Sequence, residues 1–224
     1  MIFKVSGNRR EIDFEAVIIA GFTGRNQTQV QAHVAELAAA GIQVPERVPS
    51  FYLAPPHLLL QEKELVTTHH RTSGEAEIAL IFDRDEILVT LASDHTDRAA
   101  ETLDIAVSKL ACPKMIAAEA WPSKEVRDRW DNLLLRSWID EFGNRVLYQE
   151  GAAGDLLSPY DLLAMTPFKR RPGAFVLLTG TLPPPGGIRG TGRIWAGLHD
   201  PAGENSTQLE YTIRVIADVL EKPW

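Results

Sequence analysis

Gly74-Glu75-Ala76-Glu77-Ile78-Ala79-Leu80-Ile81-Phe82 opens in alternation and closes as an unbroken apolar run. Asp83-Arg84-Asp85 follows as a turn, and Glu86 to Leu91 returns as a second strand. Residues two apart on a strand point to the same face, so Glu75 and Glu77 project together with Cα atoms roughly 7 Å apart. Asp94, just past the second strand, adds a third carboxylate. Three carboxylates, with the remaining positions left to water and substrate, suit Mg²⁺ or Mn²⁺ better than zinc. The neighbouring imidazole of His95 is less typical for such hard ions. A Glu-x-Glu pair alone is most often a solvent face. Here Gly74 precedes it and an apolar run follows, and a buried sheet does not carry unpaired acids. The pair therefore either meets Arg or Lys or holds metal, and the residue pattern leaves that choice open.

Outward from this pair, β-structure dominates. Ile2 to Val5 and Ile12 to Ala20 read as strands separated by a turn at Gly7-Asn8. A helical period runs from Thr28 to about Ala40 with Val30, Val34, Leu37 and Ala38 on one face. Gly41 stops it and Pro45 prevents its resumption. Pro45, Pro49, Pro55 and Pro56 punctuate a stretch of loop with short extended pieces. Thr96 or Asp97 caps a helix through Leu110 that ends before Pro113. Leu133 to Ile139, Phe142-Gly143-Asn144 and Arg145 to Gln149 form a hairpin, and Ser158-Pro159 starts a helix. Ala174 to Leu178, Arg193 to Leu198 and Gln208 to Ile216 supply later strands, with a Pro/Gly loop from Pro183 to Gly187. Strands and helices do not alternate regularly, which argues against a doubly wound sheet. The expected fold is one α+β domain over residues 1–224, mostly β, with a rolled mixed sheet and a few peripheral helices.

Composition narrows the function classes. Apolar residues make up 45% of the 224 residues and charged residues 24%, ordinary values for a globular chain. A formal charge of −7 disfavours a nucleic-acid partner. The basic run Lys169-Arg170-Arg171 is short and reads as a solvated loop. Cys112 is the only cysteine, so no intrachain disulfide forms. Met1 to Arg10 carries no secretory pattern and no apolar run spans a bilayer, so a soluble, cytoplasmic protein is expected.

Six segments, in order, resemble the fumarylacetoacetate hydrolase superfamily. They are Gly24-Arg25-Asn26 with His33-Val34-Ala35-Glu36, then Gly74-Glu75-Ala76-Glu77, then Asp94-His95-Thr96-Asp97-Arg98. Ser108-Lys109-Leu110-Ala111-Cys112-Pro113, Phe142-Gly143-Asn144-Arg145 with Gln149-Glu150-Gly151, and Leu178-Thr179-Gly180-Thr181-Leu182-Pro183 complete the series. The resemblance implies a pseudo-barrel catalytic domain, a homodimer, and Mg²⁺ or Mn²⁺ on Glu75, Glu77 and Asp94. It implies a small carboxylic acid of the 2-oxo acid or β-dicarbonyl class as substrate, held by Arg25, Arg98, Gln149 and Thr181. It further implies that Lys109 faces a developing oxyanion, and that His33 and Glu36, three apart on one helical face, activate water. The chain departs from the family in the short interval from Asp94 to Lys109, in Leu182 between Thr181 and its proline, and in His95. These departures touch the substrate pocket more than the metal.

Three functions follow as expectations. The first is metal-dependent hydrolysis of a C–C bond in an acylpyruvate-like substrate. Decarboxylation or hydration of a 2-oxo acid would use the same site. A non-catalytic dimeric protein that binds small acids is the alternative of another class. Elsewhere the bland readings are preferred: His69-His70 as a strand end, Cys112 as a small buried hydrophobe, and Ser158 as a helix cap. Trp121, Trp130, Trp138, Trp195 and Trp224 read as core or interface residues.

Overall fold

The apolar run beginning at Ile78 is buried on both sides because its strand lies inside a large mixed sheet. The structure, a computed structural model, describes residues 1–167, 173–203 and 205–218. The basic run at 169–171 and Trp224 lie outside the described residues.

β1 (Ile2–Val5) and β2 (Asn8–Glu11) pair around a turn at Ser6-Gly7. The strand expected from Ile12 begins instead at β3 (Phe14–Gly21). Asn8-Arg9-Arg10-Glu11 has no apolar alternation to mark it, and register with β1 extends it. α1 (Gln27–Ala39) is capped by Asn26, whose side chain accepts from the Gln29 amide, and is stopped by Gly41 at φ +79°. Of its expected apolar face only Val30 is buried. β4 (Ser50–Ala54), β5 (Leu59–Leu60), β6 (Glu64–Thr67) and β7 (Thr72–Ser73) then lead to β8 (Ala76–Asp83) and β9 (Glu86–Ser93), the expected antiparallel pair.

β10 (Thr96–Asp97) precedes two helices where one was expected, α2 (Arg98–Glu101) and α3 (Ile105–Ala111). Asp97 caps the first, and Asp104 caps the second by accepting from the Val107 amide. That second cap restarts the helix and so divides it. β11 (Lys114–Ile116) and β12 (Glu119–Pro122) were not anticipated from the sequence. β13 (Leu134–Glu141) and β14 (Asn144–Ala152) form the expected hairpin. α4 (Pro159–Met165) starts at Ser158, which caps it as expected. β15 (Ala174–Thr181), β16 (Arg193–His199) and β17 (Ser206–Val215) complete the strands.

The larger sheet runs β2-β1-β12-β9-β8-β15-β3-β4, with β11 pairing β9 and β5. The second sheet runs β14-β13-β16-β17-β6. Ile78, Leu80 and Phe82 on one face of β8 pack into a cluster that includes Leu135, Ile194, Leu198 and Tyr211 of the second sheet. Ala79 and Ile81 on the other face join a second cluster with Val17, Val176, Phe3 and Phe14. Phe3 and Phe14 meet edge to face at 5.9 Å, although β1 and β3 stand far apart in the sheet order. The large sheet therefore rolls on itself, which matches the expected mostly-β, rolled mixed fold with few helices. No helix among the described residues is long and apolar enough to cross a membrane.

Leu177, fully buried on β15 between β8 and β3, tests this core. Leu177→Ala is expected to cost about 3 kcal/mol, read as a shift of the urea midpoint.

Candidate metal centre

The antiparallel register of β8 and β9 sets Ala76 opposite Ser93, and the Asp94 amide donates to Glu75 O at 2.9 Å, so Asp94 lies beside Glu75 and Glu77. Ligand atoms of all three fall within 4.8 Å of one another. Each carboxylate has a different environment.

Asp94 is fully buried, with Lys109 Nζ 2.6 Å from Oδ2 and Lys114 Nζ 2.7 Å from Oδ1. Neither approach has hydrogen-bond geometry, so these are ion pairs that leave the Asp94 lone pairs without a directed donor. Glu75 is part-buried and takes Arg98 Nη2 at 2.8 Å on Oε1 and Lys109 Nζ at 2.7 Å on Oε2. Burial pushes the Glu75 carboxyl up, but the charges of Arg98 and Lys109 outweigh it and hold the group well below the usual range. Glu77, 1% exposed, accepts the Gly180 amide at 2.8 Å on Oε2 and has no basic side chain within ion-pair distance among the described residues. Burial, with Asp94 and Glu75 nearby, raises its pKa well above the ordinary carboxylate value.

Gly180 is needed for that amide contact. It sits at φ +96°, at an irregularity of β15 between Leu178 and Thr181, where a Cβ would come 1.9 Å from Thr23 Oγ1.

The other expected site residues divide into two groups. The structure buries Lys109 on α3, with Thr96 Oγ1 at 3.2 Å besides the two carboxylates. Burial lowers its pKa, yet Asp94, Glu75 and Glu77 raise it further, so it stays an ammonium. Arg98 spends its guanidinium on Glu75, Glu101 at 2.7 Å and Ser73 at 2.8 Å. Gln149 is buried, donating to Thr181 Oγ1 at 2.5 Å and Leu182 O at 2.7 Å while accepting from the Ala76 amide at 3.0 Å and Ser137 Oγ at 2.8 Å. Thr181 donates to Ala76 O at 3.0 Å. Gln149 and Thr181 thus lock β14, β8 and β15 together around the residue between the two glutamates.

Arg25, His33 and Glu36 stand apart from this cluster. Arg25 forms a bidentate pair with Asp131 at 2.7 and 2.8 Å and donates to Leu156 O. His33 and Glu36 approach to 3.7 Å on α1 with side chains 60% and 78% exposed. No hydrogen bond or ion pair among the described residues ties either to the carboxylates.

Lys114 escaped the sequence reading, and His95 was noted there without a role. Lys114 is fully enclosed on β11, where its only signal was a lysine opening the apolar segment Met115-Ile116-Ala117. His95, the noted departure, is buried between Tyr211 OH at 3.1 Å and Thr72 Oγ1 at 3.0 Å, and burial beside Lys114 and Arg98 lowers its pKa to about 3. It is therefore a neutral imidazole that ties the Asp94 loop to β17. His69 meets Asp97 at 3.2 Å, and His70 meets Asp218 at 2.9 Å. Burial pushes the Cys112 thiol up to about 11, too high for a nucleophile.

The donor set fits a hard divalent cation. Neighbouring ligands of an octahedral Mg²⁺ at about 2.1 Å stand about 3 Å apart, so the three oxygens, within 4.8 Å of one another, would draw inward on binding. A cation here would also supply the counter-charge that Glu77 lacks.

A family model described as "Protein of unknown function (DUF2848)" matches residues 20–211, most of the chain. The chain belongs to DUF2848. No curated protein sequence matches it. Among solved structures, the DUF2848 chain resembles the apo form of 2-keto-3-deoxy-D-arabinonate dehydratase, with a TM-score of 0.69 and 16% identity over 92% of this chain and 75% of that one. The same dehydratase complexed with magnesium and 2,5-dioxopentanoate gives 0.68 and 16%, over 91% and 74%. A fumarylacetoacetate hydrolase family protein from yeast gives 0.63 and 18%, over 90% and 94%. At these identities the likeness is one of fold, and it is the fold that the six segments implied.

The opposite shifts of the two glutamates give a test on metal-free protein. A raised carboxyl favours folding only while protonated; its contribution is complete below the unfolded value and is lost as pH rises through the folded one. Glu77→Gln should therefore be more stable than wild type at pH 8, with the gap closing toward pH 4. A lowered carboxyl contributes above the unfolded value and loses that contribution as pH falls. Glu75→Gln should thus be destabilised at neutral pH and converge with wild type in acid. Urea midpoints in the presence of chelator decide both, and a Glu77→Gln midpoint below wild type at pH 8 would contradict this account.

Proposed function

We propose that this DUF2848 chain is a divalent-metal-dependent enzyme acting on a 2-oxo acid or related β-dicarbonyl substrate, with Glu75, Glu77 and Asp94 as ligands to Mg²⁺ or Mn²⁺. The observation that carries the reading is Glu77: a carboxylate almost wholly buried, beside two others, and without a basic partner among the described residues. The shared fold of a dehydratase that binds magnesium and 2,5-dioxopentanoate supports the same reading.

A bound divalent cation supplies a Lewis acid that polarises the carboxylate and keto oxygens of such a substrate. The residues of the chain do the rest. The Gly180 amide holds Glu77, and Arg98 holds Glu75, so each carboxylate presents a fixed oxygen. Arg98 on this reading orients a ligand rather than anchoring substrate, because Glu75, Glu101 and Ser73 occupy its guanidinium. Lys109 keeps its proton and offers an N–H donor where negative charge develops on the keto oxygen. Thr181 and Gln149 fix the strand geometry around Ala76.

C–C hydrolysis of an acylpyruvate-like compound is the finer form of the proposal, with His33 as base for the attacking water and Glu36 orienting it. A second form, loss of water or CO₂ from a 2-oxo acid, is favoured by one observation: the His33–Glu36 pair is exposed, with no hydrogen bond or ion pair to the carboxylates among the described residues. The two forms differ in their need for His33.

Chelator-stripped protein assayed on acylpyruvates, oxaloacetate and sugar-derived 2-oxo acids should regain turnover with Mg²⁺ or Mn²⁺, and Glu75→Ala should abolish it. For hydrolysis, His33→Ala is expected to lower kcat about 100-fold. Unchanged turnover in His33→Ala selects elimination or decarboxylation instead. An absence of metal binding in calorimetry sinks the proposal.

A further inference from the structure

Lys114 reaches no solvent and so touches no substrate, yet it sits on a proposed metal ligand. Its strand β11 is hydrogen-bonded to β9, with Met115 opposite Ser93 and Ile116 opposite Ala92. That register sets the Lys114 backbone against the residues leading into Asp94. Its Nζ lies 2.7 Å from Asp94 Oδ1 and donates to His95 O at 2.7 Å. Both partners belong to the turn after β9, and the remainder of β11 is apolar core. A buried ion pair of this kind adds little stability over well-packed apolar side chains. Its effect is therefore geometric and electrostatic, and both effects fall on Asp94.

We propose that Lys114 is a positioning residue that holds the Asp94 turn in place and offsets the charge on Asp94 Oδ1, so that the centre binds its metal weakly. The inference rests on the metal reading above. Lys109 already shares Asp94 Oδ2 with Glu75 Oε2, so one carboxylate lies between two ammonium groups. With Oδ1 neutralised by Lys114, the attraction that Asp94 exerts on a divalent ion is cut. Removing the Lys114 charge frees Oδ1 and leaves Asp94 offset by Lys109 on Oδ2. Cation binding then tightens, while the metal-free protein, left with a buried carboxylate short of a partner, becomes less stable.

That opposition of sign separates positioning from a merely structural role, which would weaken stability and metal binding together. The test is isothermal titration of Mn²⁺ into chelator-stripped full-length wild type, Lys114→Met and Lys114→Gln, with thermal midpoints of the metal-free proteins alongside. The expected result is Mn²⁺ affinity increased about tenfold in Lys114→Met, together with a lowered metal-free midpoint. Lys114→Gln, which keeps a donor for the His95 carbonyl, should tighten binding similarly with a smaller loss of midpoint, and it carries the test if the Met variant does not fold. Unchanged or weakened Mn²⁺ binding in the folded variants, with wild type binding normally, overturns this inference alone. No binding by any of the proteins overturns the metal reading as well.

Discussion

Asp94 buried between two lysines is the constraint around which the site is arranged. A carboxylate removed from water needs compensation on both oxygens, and α3 and β11 each deliver an ammonium to one of them. That requirement fixes where the chain goes after β9: through a one-turn helix, a second capped helix, and back into the sheet beside the strand it left. The short interval from Asp94 to Lys109, a departure from the resembled family, is thus a compact route that places both lysines within reach of one residue.

From Asp94 the order spreads outward. Lys109 bridges Asp94 to Glu75, Arg98 ties Glu75 to Glu101 and Ser73, and His95 ties the same turn to Tyr211 and Thr72. The last link joins the rolled sheet to the second sheet, since Tyr211 stands on β17 and also meets Ser93 at 2.8 Å. Among the described residues Glu77 meets a backbone amide in place of a cation. The charge pattern is therefore asymmetric: two carboxylates ion-paired with side chains, and one held by an amide.

Much of this was legible in the sequence, and what was missed has physical causes. The Glu75–Glu77 pair and Asp94 were readable because strand period and a following apolar run leave few reasons for acids there. α1, β8, β9, the β13–β14 hairpin and the Ser158 cap carried strong local signals. β2, β11 and β12 carried none: β2 is ordered by register with β1 beside it, and β11 and β12 by register with strands remote in sequence. The helix expected from Asp97 to Leu110 divided because Asp104 satisfies a new helix start, a local competition that periodicity does not weigh. Lys114 stayed hidden because a lysine beside apolar residues looks like a strand end until its partner is seen. Gln149 and Thr181 emerged as struts around Ala76, a role that depends on neighbours remote in sequence.

α1 has a different standing from the sheets. It buries Val30 alone, its first turn is closed by Asn26, and its approach is pinned by the Arg25–Asp131 pair. A segment with so little buried area opens at a free energy far below that of the whole molecule. Its amides are therefore expected to exchange ahead of those of the sheets, with protection set by local capping rather than by the core. His33 and Glu36 ride on that segment, so the free energy that organises them is almost independent of the free energy that organises the three carboxylates.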